Sequence, residues 1–414
     1  MLNINVLSLF SGCGGMDVGL EGDFWCLKHS INTKMYPDCI REECGDFVKV
    51  KKTPFNTIFA NDIREDAKTA WTGYFKNKDP NIYCVKSIVD LVKKAKYGED
   101  VFPNDVDLVT GGFPCQDFSV SGKRQGFNSR KSHNGGFLND DEPTAENRGQ
   151  LYMWMRDVIS IIKPKMFIAE NVKGLTNLEN VKEIIEHDFS NACDDGYLVL
   201  PAQIMQAANF GVPQSRERVF FFGFKKSALK AEALKELSKS KVSDLYDPYP
   251  SPTHSYSVTE TKQQNILLNY VTCRNAFTGL EEPDISNDIS QKKYSKAKYM
   301  GVHCQGQREI KLDSVAPTIR SEHHGNIEYR RLSAEHGGLI AEELEMGMTE
   351  RRLTVRECAR IQTFPDDYQF VIPQKVSASD AYKIIGNAVP CVLAYNIALN
   401  IANKWVRYFG EAEA

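Results

Sequence analysis

No Cys-x-x-Cys pair occurs anywhere in the 414 residues, although eleven cysteines are present. An odd number of thiols without close pairing does not make a disulfide framework, so free cysteines and a reducing compartment are expected. Cys26, His29, Cys39 and Cys44 come nearest to a ligand set, but their irregular spacing fits no common metal pattern, and no metal is expected. Long apolar runs are missing too. No stretch of about 18 apolar residues suggests a membrane span, and Met1-Leu2-Asn3-Ile4-Asn5 leads into a strand without the regions of a signal peptide. The chain is therefore expected to be cytoplasmic and away from membranes. An excess of positive charge is absent as well: the net charge is −3 and the isoelectric point about 6.3, so any nucleic-acid surface must come from local clustering. The stretch from Lys225 to Glu335 carries 17 Lys/Arg against 14 Asp/Glu, which tilts it toward such a surface. With neither internal repeats nor low-complexity tracts, fibrous and disordered classes are excluded. What remains, 42% hydrophobic and 25% charged, is ordinary composition for one large core or two domains.

Up to about residue 224, apolar runs alternate with helical patterns, as in a doubly wound α/β sheet. The runs predict strands at Asn5–Phe10, Thr57–Ala60, Asp107–Thr110, Met166–Ala169 and Arg218–Phe224. Apolar spacings of three and four predict helices at Asp66–Phe75, Leu151–Ile162 and Asn180–Phe189. Three prolines at Pro248, Pro250 and Pro252 mark a boundary, beyond which the pattern turns short, polar and irregular until about Thr349. Helical sequence returns at Leu353–Gln362, and Ala381–Phe409 reads as a turn followed by a long helix. Two insertions stand out, roughly His29–Thr53 and the Gly/Asn/Asp-rich Asn128–Asn147, the second reading as a mobile loop. Surface decoration explains either as well as function does.

Within this frame sit the residues that carry chemistry. Phe10-Ser11-Gly12-Cys13-Gly14-Gly15 leaves the first strand and enters a helix, where glycines allow close backbone approach and helix-start N–H groups face an anion. Asp62 ends the second predicted strand, where nucleotide-binding sheets place an acid against ribose hydroxyls. Gly111-Gly112-Phe113-Pro114-Cys115-Gln116 presents a cysteine on a tight turn after an apolar strand, a placement suited to nucleophilic attack. Glu170-Asn171-Val172 puts a carboxyl at the next strand end, suited to proton donation. Gln214-Ser215-Arg216-Glu217-Arg218 and Gly386-Asn387-Ala388-Val389-Pro390 follow. Each has an ordinary structural explanation on its own, a buried thiol, a strand end or a surface strand. Their joint order does not.

In that order and rough spacing, from residue 5 to about 400, the chain resembles the DNA cytosine-5 methyltransferases. The resemblance implies a doubly wound Rossmann-like S-adenosylmethionine-dependent methyltransferase domain with a smaller, irregular target-recognition domain. It divides the chain into a catalytic and cofactor-binding part at 1–247, a target-recognition domain and hinge at 248–375, and a segment returning to the catalytic part at 376–414. By matching motif positions, Phe10, Ser11, Gly12, Cys13, Gly14, Gly15 and Pro114 line the cofactor, Asp62 binds its ribose, Ile63 lies against the adenine, and Asn387 and Ala388 approach the methionine end. Relatives often place an acid beside the adenine amine. Ser87-Ile88 stands there in this chain, and a serine can still accept that bond.

Carbon 5 of cytosine is a poor nucleophile, so methylation needs electron density pushed into the ring by a covalent adduct at carbon 6. The resemblance makes Cys115 that nucleophile and Glu170 the acid that assists at N3. Arg216 and Arg218 are fixed cations for the cytosine carbonyl and a neighbouring phosphate, Arg218 being the one expected on the base. A stacked base cannot offer its face, so the cytosine must flip out. Gln305-Gly306-Gln307-Arg308, followed by Thr318-Ile319, resembles the recognition-loop pattern: Gln305 fills the vacated space, Arg308 meets a guanine edge or phosphate, and Thr318 anchors the backbone. Ser121 approaches from the other groove. Duplex DNA is the implied partner, a cognate restriction endonuclease is left open, and a monomer suffices for the chemistry. A tRNA cytosine-5 methyltransferase, a non-catalytic DNA-binding relative and a flavin or nicotinamide oxidoreductase are the competing readings. The long region after Pro248 opposes the first, the intact motif residues the second, and Glu170-Asn171-Val172 with Gly386-Asn387 the third.

Overall fold

Near-continuous apolar runs form parallel strands buried on both faces, and Ile4-Asn5-Val6-Leu7-Ser8-Leu9 sits at the middle of one such sheet. The protein, seen in a computed structural model, is described at residues 2–113, 151–177, 180–256, 266–321 and 326–410. Its strands are β1 (Ile4–Leu9), β2 (Trp25–Leu27), β3 (Ile40–Cys44), β4 (Phe47–Val50), β5 (Phe55–Asp62), β6 (Tyr83–Val85), β7 (Leu108–Gly112), β8 (Met166–Val172), β9 (Tyr197–Val199), β10 (Gln203–Gln206) and β11 (Glu217–Lys225). The central sheet runs β10-β11-β8-β7-β1-β5-β6, with β9 also on β11. From β8 through β6 all neighbours are parallel, whereas β11 is antiparallel to β8. Chain order proceeds outward from β1 to β6 on one side and then resumes at β7 on the other. That reversal is a topological switch point, and ligands in open α/β sheets bind there, outside the carboxyl ends of the strands.

The period of two along each strand divides the core. Phe220, Phe222 and Phe224 of β11 join one apolar cluster, and Val219 and Phe221 join the other on the opposite face. Helices α1 (Gly15–Glu21), α2 (Glu65–Tyr74), α3 (Ile88–Lys96), α4 (Leu151–Ile162), α5 (Val181–Ser190) and α6 (Ala231–Leu237) accompany the sheet. The expected strands and the three expected helices are therefore present within a few residues. The first cluster also takes in Ile310, Ile319, Ile327 and Leu353, so the region after the prolines shares its core with the sheet.

One expectation needs correction, and one open question is answered. Ala381–Phe409 is not a turn and one long helix but helices Ala378–Asn387, Cys391–Ala402 and Trp405–Phe409. Pro390 cannot continue a helix and pushes Val389 toward extended backbone. An 18-residue window within residues 378–402 also has the length and mean hydropathy, 1.6, of a membrane span. However, 89% of that window is buried against the rest of the protein, as in a core helix. The insertion near His29–Thr53 is also more than decoration. With its preceding residues it forms the antiparallel sheet β2-β4-β3, while Asn32 donates to the carbonyls of Thr253 and Ile266 and His254 meets the His29 carbonyl at 2.8 Å. It therefore pins the region after the prolines to the start of the chain. The other insertion, Asn128–Asn147, lies outside the described residues.

Candidate active site and DNA-facing loop

A cleft of about 320 Å³ opens at the carboxyl ends of β1, β5, β7 and β8, where the switch point places it. Phe10, Ser11, Gly12, Gly15, Asp62, Ile63, Ser87, Ile88, Glu170, Arg216, Arg218, Asn387 and Ala388 all line it. Residues spread over almost 380 positions of sequence thus meet in one place. Pro114, Cys115 and Ser121 lie outside the described residues.

The glycine turn owes its shape to a carboxylate that the sequence did not single out. Asp17, fully buried in the first turn of α1, accepts from Ser8 Oγ at 2.6 Å, Ser11 Oγ at 2.6 Å and Trp71 Nε1 at 2.8 Å. Burial pushes this carboxyl up, and the bonds from Ser11, Ser8 and Trp71 hold it back. Gly12 and Gly14 have positive φ, and a methyl group on Gly14 would collide with the Trp71 ring. Phe10, with φ 52°, adopts the same left-handed region without being glycine, a strained backbone held by its surroundings. Asp62 stands across the turn: one oxygen accepts from Gly12 N at 3.0 Å and the other from Arg64 N at 3.1 Å. Burial raises its carboxyl too, opposed by those backbone donors.

Cys13 and Gly14 are the two members of the turn that the structure does not bring to the cleft lining. The Cys13 side chain points into the core and its thiol donates to the Ile384 carbonyl at 3.2 Å, and burial raises its pKa. Ser87 lines the cleft, but its hydroxyl accepts from Val89 N at 3.3 Å as the cap of α3.

At the other side of the cleft, β7 and β8 set Gly112 opposite Glu170. Glu170 is 7% exposed and pairs with Arg218, Nε to Oε1 at 3.0 Å. Burial is the largest influence on its carboxyl and raises it, against the charges of Arg218 and then Arg216. Asn171 Nδ2 donates to the Phe113 carbonyl at 3.2 Å, fixing the chain two positions before Cys115. Arg216 differs from expectation. Its Nη1 donates to Ile319 O at 3.0 Å and its Nη2 to Gly386 O at 2.9 Å, so the guanidinium ties β11 to two distant segments.

Beyond Arg216 the chain leads to the expected recognition residues. Thr318 Oγ1 donates to Ser215 O at 2.6 Å, and Gln214 accepts from Ile319 N at 3.0 Å. Gln305 and Arg308 are exposed. Arg320 holds the Gln305 side chain, Nη1 to Oε1 at 2.7 Å, and also reaches Glu328 at 3.0 Å. Gly386 lies so close to the backbone of Arg320 and Ser321 that a methyl group would collide with it. Among the described residues, no group of three or more His, Cys, Asp or Glu could hold a metal ion, and the ten cysteines there are free.

The sequence pattern of the C-5 cytosine-specific DNA methylases matches residues 4–403. The chain belongs to that family. It is a DNA cytosine-5 methyltransferase, an enzyme class that generally uses S-adenosylmethionine and acts on DNA. Among named relatives, the methylase is 31% identical over 421 residues to the Type II methyltransferase M.BsuRI of Bacillus subtilis, covering 98% of this chain and 80% of that one. It is likewise 31% identical over 411 residues to the Type II methyltransferase M.NgoPII of Neisseria gonorrhoeae, covering 96% and 95%. Of solved structures, the S. pombe Dnmt2 methyltransferase shares the fold at a TM-score of 0.54 and 18% identity, with 96% and 98% covered. The Entamoeba histolytica methyltransferase EhMeth does so at 0.53 and 15%, with 98% of each chain covered.

Three further residues of the methylase site escaped sequence reasoning. Tyr83 Oη donates to Gly12 O at 2.7 Å and Tyr368 Oη to Cys13 O at 2.6 Å, so the turn is gripped from both sides. Asp17 offered a weak signal: an acid in a helix's first turn reads as a dipole partner, not as an acceptor for β1 and α2.

Proposed function

We propose that this methylase transfers a methyl group from S-adenosylmethionine to carbon 5 of a cytosine flipped out of duplex DNA, through a transient bond to Cys115. The observation that carries the reading is the single cleft that unites the glycine turn, Asp62, the Glu170–Arg218 pair and Asn387. Its residues fit the cofactor. One Asp62 oxygen accepts from Gly12 N of the turn and the other from Arg64 N, and each keeps a second acceptor position for ribose hydroxyls. Ile63, half exposed at the rim, offers an apolar face to a base, and exposed Asn387 offers an amide to a carboxylate.

S-adenosylmethionine, when bound, supplies the methyl group on a sulfonium. Phe10 to Gly12, Asp62 and Ile63 orient it from one side, and Asn387 and Ala388 from the other. The Cys115 thiolate adds to carbon 6 of the cytosine while Glu170, whose carboxyl is raised by burial, donates to N3. Arg218 fixes Glu170 and faces the same space. Electron density then reaches carbon 5, which takes the methyl group. Transfer of the carbon 5 proton to water, departure of the thiolate and return of the N3 proton to Glu170 restore the aromatic ring. Residues 248–375 read the target, with Gln305 filling the gap, Arg308 on a base edge or phosphate, and Thr318 positioning the backbone. The similarity to Type II methyltransferases supports a role in restriction-modification, with a cognate endonuclease as a separate protein, in the cytoplasm.

Duplex DNA with 5-fluorocytosine at the target tests the chemistry, because fluorine cannot leave as a proton. With S-adenosylmethionine present, a denaturant-resistant complex is expected at Cys115, and Cys115→Ser abolishes it. An adduct mapped to another cysteine, or methylation persisting in Cys115→Ser, overturns the nucleophile. Efficient methylation of tRNA with inert duplex DNA overturns the substrate.

A further inference from the structure

The chain is acidic overall, yet residues 289–308 contain five Lys/Arg and no Asp or Glu. Four of these charges, Lys292, Lys293, Lys296 and Lys298, fall within seven positions, and all four are exposed. No ion pair to any of them occurs among the described residues. The nearest acids in sequence are used elsewhere. Asp288 pairs with Arg356 at 2.5 Å, and Glu309 accepts from the backbone of Leu332 and Leu339 at 2.8 and 2.7 Å. Lys296 rests over the Tyr294 ring, 3.5 Å from its centre, which limits its motion without neutralising it.

The backbone beneath these lysines is fixed. Val355 N donates to Lys293 O at 3.0 Å, and Tyr294 bridges Thr354. Buried Arg352 donates through Nε to Ala297 O at 2.9 Å, through Nη2 to Lys298 O at 3.3 Å, and through Nη1 to Gly306 O at 2.6 Å and Ile327 O. Met300 N donates to Gln307 Oε1 at 2.9 Å. One guanidinium therefore holds the lysine segment and the Gln305–Arg308 loop in a set relation.

We propose that Lys292, Lys293, Lys296 and Lys298 bind the phosphate backbone of duplex DNA and set the register in which the Gln305–Arg308 loop meets the bases. From Lys292, at the end of the helix Ile289–Lys292, to Lys298 the chain spans at most about 20 Å, and phosphates follow one another every ~3.4 Å of axis on a strand, so several lie within reach. Phosphate contacts place a protein on DNA and base contacts specify the sequence. The fixed backbone lets the first act on the second.

The salt dependence of duplex binding tests this. Each lysine that neutralises a phosphate adds about 0.9 to the steepness with which log K falls against log salt. Lys296→Gln with Lys298→Gln is expected to lower it by nearly two, weakening target and non-target duplexes alike, with an unchanged melting temperature as the check on folding. Lys292→Gln with Lys293→Gln should add a similar fall. An unchanged slope overturns the proposal, as does a loss confined to target DNA. An equal fall on removing Lys94 and Lys96 from α3 would reduce the effect to net charge and overturn it too. Failure to bind any duplex in the unaltered enzyme would instead refute the DNA reading itself.

Discussion

Replacing Glu170 by glutamine tests the proposed acid while changing little else. The amide oxygen can still accept from Arg218 Nε, now 3.0 Å from the carboxylate, so the arginine keeps its place. A positioned general acid contributes about 10²- to 10⁴-fold, or ~3–5 kcal/mol of barrier, and that is the expected loss in single-turnover methyl transfer. Stability should suffer far less. Breaking a buried pair can cost ~3–5 kcal/mol, but burial outweighs the two arginines in setting the Glu170 carboxyl, so its ionised form is incompletely compensated already. A cost below about 2 kcal/mol follows, within the usual range for single substitutions. The pH dependence has a definite sign. The folded pKa is raised, so the wild type gradually loses its acid as pH rises through that value, whereas the variant has none to lose. The ratio of wild-type to variant rate therefore falls with rising pH, by up to about tenfold per unit, and limbs shared with Cys115 cancel. In the same window, from the ordinary carboxyl range up to the folded value, the unfolded chain gives up this proton first. Wild-type stability is thus present at low pH and falls as pH rises, and the melting temperature of the variant gains on the wild type. A rate ratio that stays flat as pH rises from the ordinary carboxyl range, or a loss under about tenfold, would refute proton donation by Glu170.

Two other substitutions probe the frame of the cleft. Asp17→Ala strands the Trp71 indole N–H, which cannot rotate away as the Ser8 and Ser11 hydroxyls can; about 1–3 kcal/mol of stability and much of the S-adenosylmethionine affinity should go, with Asp17→Asn recovering part. Urea unfolding and isothermal titration measure both, and unaltered cofactor affinity in the alanine variant would remove Asp17 from the site. Gly386→Ala drives a methyl group into the backbone of Arg320 and Ser321; an overpacking cost of about 1–3 kcal/mol should come with weaker binding of both cofactor and duplex, and loss of only one would deny that this glycine joins the two regions.

The parallel strands β1, β5, β7 and β8 were legible because burial on both faces demands unbroken apolar runs, and the motif residues at their carboxyl ends followed; the three-residue edge strand β6 was not. What stayed hidden depended on partners far along the chain. Gln-x-Arg-x-Arg reads as two substrate-facing cations, but Arg216 meets carbonyls 103 and 170 residues away and becomes a tie, while Arg218 meets Glu170. Strand β3, Ile40-Arg41-Glu42-Glu43-Cys44, is an exposed edge whose charges erase the apolar alternation that would announce it. The apolar run through Ala381–Phe409 masked its break, because Pro390 lies among residues buried on both sides.

The grip on the glycine turn has a consequence for how the protein is made. Gly15 and Gly19 admit the backbone of Val389 and Cys391 where any side chain would collide, and Cys13 bonds to Ile384 across 371 positions. Such closures are entropically late and slow. While the ribosome is still adding the middle of the chain, the first motif has strands to pair with but nothing to cover α1, and it exposes apolar surface until the last helices emerge. Nascent chains halted before residue 384 should therefore recruit chaperones and fail to retain cofactor, however complete their sheet.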